Sequence, residues 1–382
     1  MNTLNTTSAK ARPAISALSR TSTPVLYWAA LGSVFLCLAF YVWGSWILSD
    51  DFRPVPVGDD PIPLNVQIAV RAIEALAAVV ALGMLWKCVF QPWIRDGELS
   101  FDGMLVLNLM LMWWADPIDN YVTVSFFYNG FTVNMGSWAN FIPGWGSPNP
   151  QNFPEPLLMM GGFYIGYWML NVFLGCWLLG LLQRRLPNVA LGWRIFLMFI
   201  PLAIIDLVVE NLIMRSGAAA YPGVVKSWSI YAGEVYQWPL YEAALVAFVS
   251  TGFTCLRYFK DDKGQTFVEK GVERLKVSRA RKKLVTFLAI AGFVQPFFLI
   301  GYFLPYNLFA MRSDTAPAYP SYMRNLICGE GSQYACPSYD WVPIPQRGSR
   351  IFVTPDDSRL PQEIRDAQGI KASGKDPYAS GQ

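Results

Sequence analysis

The chain has 382 residues, a formal net charge of +3 and no histidine. Hydrophobic residues make up 53%, charged residues only 15%, and mean hydropathy is +0.30, which excludes an ordinary soluble domain. Without histidine the usual general base near neutrality, the usual transition-metal ligand and any serine–histidine relay are missing, so chemistry must come from carboxylates, tyrosines, arginines or backbone groups.

Residues 1–24 form a basic segment, with Lys10, Arg12 and Arg20 ahead of the first apolar stretch. Seven stretches are then long enough, or nearly so, to span a bilayer as helices, at 25–49, 65–87, 103–122, 157–183, 194–214, 237–258 and 284–305. The first is too long for a signal-peptide core and lacks a small-residue cleavage pattern, so it reads as an uncleaved anchor. The positive-inside rule places the N-terminus in the cytoplasm, with Lys87, Arg95, Arg184, Arg185, Arg194 and the run from Arg257 to Lys283 on the same side. The opposite loops are poor in Lys and Arg, and 123–156 has neither. The expected architecture is an all-α protein of the plasma membrane. It has a bundle of about seven transmembrane helices over 25–305, an aromatic outer loop and an extracytoplasmic C-terminal tail. That tail divides into a loop-rich part, 306–354, and a disordered end, 355–382. Its two cysteines, Cys328 and Cys336, form either a disulfide or two surface thiols.

Ionisable residues inside the apolar stretches are the informative feature. Counted at about 1.5 Å per residue from the segment edges at Lys87, Gly103, Arg194 and Arg257, the residues Arg71, Glu74, Asp116, Asp119, Asp206, Glu210 and Glu242 lie about 18–24 Å deep. A hydrocarbon core is about 30 Å thick, so all occupy its outer half. Charges there are costly and face a protein interior or a wet cavity, which argues for one polar pocket.

In chain order, Arg71 and Glu74 are three residues apart and form either an internal ion pair or a substrate-binding arginine with its partner. The third stretch carries Trp113-Trp114-Ala115-Asp116-Pro117-Ile118-Asp119-Asn120-Tyr121. Proline disfavours the helical conformation before it, so Asp116 is expected to cap a short second helix starting at Pro117. Two carboxylates and an asparagine within one turn exceed what a cap needs, which favours a pocket lining. The loop from Phe126 to Pro156, rich in aromatics, glycine and proline, reads as a lid, as an interfacial aromatic belt, or as both. Asp206 and Glu210 sit one turn apart on one helical face, beside Asn211. Like charges so close in a low dielectric cannot both ionise cheaply, so one of the two is expected to keep its proton. The sixth stretch opens with Tyr236-Gln237-Trp238-Pro239-Leu240-Tyr241-Glu242. The basic run from Lys260 to Lys283 is an orientation determinant that can also rest on anionic lipid.

Neutral and ionised carboxyl groups side by side form an acid/base pair suited to reactions through an oxocarbenium ion. The candidate catalytic residues are Asp206, Glu210, Asp116, Asp119 and Glu242, with the Asp206–Glu210 pair as general acid and Asp116 or Asp119 stabilising the cation. Arg71, Glu74, Trp114, Asn120, Tyr121, Asn211 and Tyr241 are the candidate substrate-binding residues. No metal site, cofactor or nucleic-acid partner is expected. The expected partners are the lipid bilayer and a hydrophobic small-molecule substrate arriving from it.

The order of several segments resembles the AveC-type spirocyclase family. The features are Trp113-Trp114-Ala115-Asp116-Pro117, Asn120-Tyr121, Tyr128-Asn129, Gly136-Ser137-Trp138 and Pro143-Gly144-Trp145. Further on come Glu210-Asn211, Tyr221-Pro222-Gly223, the stretch Tyr236 to Glu242, and Leu256-Arg257-Tyr258-Phe259-Lys260-Asp261-Asp262. The resemblance covers roughly residues 25–305. It implies a multi-spanning enzyme of spiroketal polyketide biosynthesis that closes a dihydroxyketone into a spiroketal with stereocontrol, with ring dehydration in some members. It transfers no catalytic residues.

Two rival classes use the same features. A proton- or cation-coupled transporter would also place carboxylates at mid-depth, but usually shows inverted repeats, and none is visible. A non-catalytic lipid-binding or assembly subunit is the other. A retinal-type protein is excluded, because residues 284–305 contain no lysine for a Schiff base.

Overall fold

The computed structural model describes residues 23–328 and the isolated positions 332 and 362. Most of the expected basic segment, Cys336, and the tail beyond residue 328 apart from those two positions therefore lie outside the described residues. Cys328 is buried and disulfide-bonded.

The described chain is mostly helical. Five helices are long and apolar enough to cross a membrane: α1 (Pro24–Ile47), α2 (Leu64–Asp96), α4 (Met159–Arg185), α5 (Leu191–Ser216) and α7 (Arg279–Ala310). Between them, α3 (Phe101–Met112) is mostly apolar and buries eight of its 12 residues, Asn108 among them. Helix α6 (Leu240–Tyr258) buries Glu242, Ser250 and Thr254 along with its apolar residues. Helix α1 packs along α7, α2 along α4, and α5 along α6. The α1–α7 contact depends on two glycines: a Cβ at Gly32 would overlap the Leu288 carbonyl, and one at Gly292 the Trp28 carbonyl. Small residues at the contact let the two backbones approach this closely.

Three helices of the bundle carry a local irregularity or an internal proline. Helix α3 tightens into a 3-10 helix over Trp113–Asn120. The expected cap at Asp116 is replaced by this winding, which carries Pro117 within it, and the Asp116 carboxylate binds tyrosine hydroxyls rather than backbone N–H groups. A 3-10 run of this length is unusual and marks strain or function. In α7, Pro296 is followed by a π turn over Leu299–Phe303 that contains buried Tyr302. In α5, Pro201 removes one backbone donor halfway along the helix.

A cap closes the end of the bundle that carries the buried acids. Strand β1 (Phe127–Tyr128) pairs antiparallel with β2 (Ala219–Ala220), joining the segment after α3 to the segment after α5. A second pair, β3 (Ser229–Ile230) with β4 (Trp238–Pro239), leads into α6. Trp138 from the aromatic loop is buried edge-on against Trp43, Trp46 and Trp113, and its indole N–H donates to the Trp114 carbonyl at 2.7 Å. The turn before it needs Gly136, whose φ is +79° and whose Cβ would press on the Asp51 and Arg53 carbonyls.

Candidate functional site

Four carboxyl groups from three elements line one small cavity under the cap. Asp116 and Asp119 come from the 3-10 end of α3, Glu210 from α5 and Glu242 from the first turn of α6. Tyr128, Tyr164, Tyr221 and Tyr302 supply hydroxyls, and Phe126, Phe163, Trp168 and Phe298 supply the apolar wall. The cavity volume is about 40 Å³. That is room for little more than a water or two, so a lipid-like molecule requires the walls to part.

Each carboxylate is held differently. Asp116 accepts from Tyr128 at 2.8 Å on one oxygen and from Tyr164 at 2.8 Å on the other. Glu210 accepts on a single oxygen from Tyr221 at 2.9 Å and from the Trp238 indole at 2.8 Å. Tyr302 donates to Glu242 and also reaches Asp119. Asp119 Oδ1 and Glu242 Oε2 are buried without a hydrogen-bond partner among the described residues. Such atoms are costly unless something else engages them.

Cap residues fix the donors. The Tyr128 carbonyl accepts from Asn325 at 3.0 Å, and the Tyr221 carbonyl from Gln237 at 2.7 Å and Tyr319 at 2.9 Å. Burial, and next the Asp116 carboxylate, push the Tyr128 hydroxyl well above its ordinary value. Burial and then Glu210 do the same to Tyr221. Both stay protonated donors.

Glu155 is a group that sequence reasoning missed. It is 1% exposed and its carboxyl lies against that of Asp116. Burial, and next the Asp116 charge, push Glu155 well above its ordinary value, so it retains a proton that it can donate to Asp116. The available signal was that Glu155 is the lone charged residue in the stretch 123–156. The tyrosines gave no comparable signal in a chain with 18 of them.

Other sequence-derived candidates stand apart from the cavity lining. Asp206 is fully buried one turn before Glu210, accepting from Tyr167 at 2.8 Å, with its second oxygen unpartnered. Arg71 and Glu74 pair with each other and clamp the aromatic loop. The arginine donates to the Phe131 carbonyl at 2.9 Å, and the glutamate accepts from the Val133 N–H at 2.6 Å. Trp114 donates to Gln295 at 2.9 Å, and Asn120 accepts from the backbone of Ser125 and Phe126 at 2.9 Å each. Tyr121 donates to the Pro143 carbonyl at 2.9 Å, Asn211 to the Leu207 carbonyl at 2.7 Å, and Tyr241 stacks on Phe309. Among the described residues no group of three or more acidic or cysteine side chains could hold a metal ion.

No curated protein and no solved structure matches the chain. A family model described as spirocyclase AveC-like matches residues 98–324, more than half of the chain. The match takes in α3 to α7 and most of the described cap, and leaves α1 and α2 wholly outside. All four cavity carboxylates, Glu155 and the cavity tyrosines fall within it. The chain belongs to the AveC-like spirocyclase family.

Proposed function

We propose that this protein is an integral membrane cyclase that closes a hydrophobic dihydroxyketone, polyketide- or lipid-like, into a ring by carboxyl acid–base catalysis. The observation carrying this reading is the convergence of Asp116, Asp119, Glu210 and Glu242 with tyrosine hydroxyls on one aromatic-walled cavity. Asp119 and Glu242, bridged by Tyr302 and each keeping an unpartnered oxygen, are the groups free to exchange protons with substrate. One substrate hydroxyl adds to the carbonyl to give a hemiketal. A carboxylic acid of this pair protonates the hemiketal hydroxyl, water leaves, and an oxocarbenium ion forms. The second substrate hydroxyl attacks that carbon, and its proton passes to a carboxylate. The net change is loss of one water. Removal of a neighbouring C–H proton by the same base would give dehydration instead.

Asp116 and Glu210 each accept two hydrogen bonds, which favours their charged forms as stabilisers of the cation. The Asp206–Glu210 pair then shares one proton, carried by Asp206. Arg71, Glu74, Trp114, Asn120, Tyr121, Asn211 and Tyr241 shape the site by holding its walls and lid. The bundle spans the plasma membrane seven times, with a cytoplasmic N-terminus and an extracytoplasmic C-terminus, because basic residues alternate across successive apolar stretches. The cavity then opens toward the outer leaflet. Conversion of a dihydroxyketone to a spiroketal by membranes containing this protein, compared with empty membranes, tests the reading.

A further inference from the structure

At the opposite, basic end of the bundle a pocket of about 350 Å³ lies between the end of α4, the start of α5 and the segment after α6. Its polar lining is Gln183, Arg194, Tyr258 and Lys260, and no carboxylate is among its lining residues. The Arg194 Nε is buried without a hydrogen-bond partner. The Tyr258 hydroxyl donates to Gln183 Oε1 at 2.8 Å, which leaves the Gln183 amide NH₂ as a donor. Lys260 rests over the Phe101 ring, 5.5 Å from its centre, and keeps its ammonium donors. The next acid along the chain, Asp261, is turned into its own loop and accepts from the N–H groups of Lys263 and Gln265 at 3.0 and 2.9 Å.

The other half of the pocket is apolar. Leu179, Leu191 and Phe259 line it. Above it, α5 exposes Trp193, Phe196, Ile200, Ile204, Val208 and Leu212. These recur every three or four residues and so form one continuous greasy stripe. Cationic donors without a counter-carboxylate, set at the foot of that stripe, match a phosphate diester carrying acyl chains.

We propose that this pocket binds the phosphate of an anionic membrane lipid, with Arg194 and Lys260 on the phosphate and an acyl chain along the exposed stripe of α5. The full-length protein in detergent is titrated with dioleoylphosphatidylglycerol, with dioleoylphosphatidylcholine and with inorganic phosphate, and bound species are counted by native mass spectrometry. Phosphatidylglycerol should be retained in preference to phosphatidylcholine. Arg194→Gln and Lys260→Gln should each weaken it about fivefold, and together more. Arg281→Gln, an exposed cation at the same end but outside the pocket, should leave retention unchanged. Each variant is compared by melting temperature, and Lys260→Gln alone keeps the test valid if Arg194→Gln fails to fold. Equal retention of the two lipids, or equal losses from Arg281→Gln and the pocket variants, would overturn the site. Displacement of phosphatidylglycerol by millimolar inorganic phosphate would make the ligand a free anion and overturn the lipid assignment.

Discussion

The Tyr302 hydroxyl donates to Glu242 and reaches Asp119, so one phenol joins carboxyl groups from two helices across the cavity. The π turn in α7 contains this residue, and the 3-10 end of α3 carries Asp119 to meet it. Tyr302→Phe keeps the ring and removes the bridge. Turnover should fall by about 10²-fold, and stability by about 1–3 kcal/mol because buried Glu242 loses its donor and Asp119 its neighbouring hydroxyl. Tyr41→Phe, at an exposed position of α1 away from the cavity, should leave turnover nearly unchanged. Equal rates for the two variants would remove the relay.

A second expectation concerns pH. The folded-state value of Glu155 is raised above its ordinary 4.5 by burial and by Asp116. A raised carboxyl contributes stability that is complete below the unfolded value and is lost as pH rises through the folded one. The wild type should therefore melt progressively lower than Glu155→Gln as pH increases above 4.5, since the amide can still donate to Asp116 but never ionises. Melting curves in detergent from about pH 4.5 upward check this. Two parallel pH profiles would show that Glu155 carries no such proton.

Much of the site was legible because an acid inside an apolar stretch stands out and helical rise converts sequence position into depth. That logic placed Asp116, Asp119, Glu210 and Glu242 at one level, and they line one cavity. It could not separate Asp206 from Glu210, because one turn on a shared face hides the small rotation that gives one the cavity and the other Tyr167. The hydrogen-bond donors were invisible, since a neutral tyrosine that holds a carboxylate looks like any other aromatic. The 3-10 winding at Trp113–Asn120 differs from the expected cap at Asp116, because proline signals a lost donor but not how the chain absorbs the loss. The Gly32–Gly292 contact joins residues 260 positions apart, a pairing no local pattern reveals.

That contact gives a prediction independent of the site. Gly32→Ala or Gly292→Ala forces a methyl group into a backbone carbonyl and should cost about 1–3 kcal/mol through overpacking. Gly44→Ala, on the same helix with nothing near its Cβ, is the control. A melting temperature as high in Gly32→Ala as in Gly44→Ala would contradict the close packing.

Topology is checked with single reporter cysteines at exposed positions. Asn140→Cys in the aromatic loop and Glu234→Cys before α6 should react with an impermeant maleimide in intact cells. Asp262→Cys, in the basic loop, should react only after permeabilisation. Protection of both cap positions would reverse the proposed orientation.

The central claim is that the buried carboxyl groups perform acid-catalysed ring closure. Its most direct test is the rate and enantiomeric excess of spiroketal formed from a dihydroxyketone by membranes carrying wild type, Asp119→Asn, Glu242→Gln or no protein. Wild type should give one stereoisomer in excess, and each carboxamide should lower turnover by about 10²-fold or more while remaining folded. Carboxamide variants matching wild type, or wild type giving no rate or stereochemical bias over empty membranes, would contradict the account.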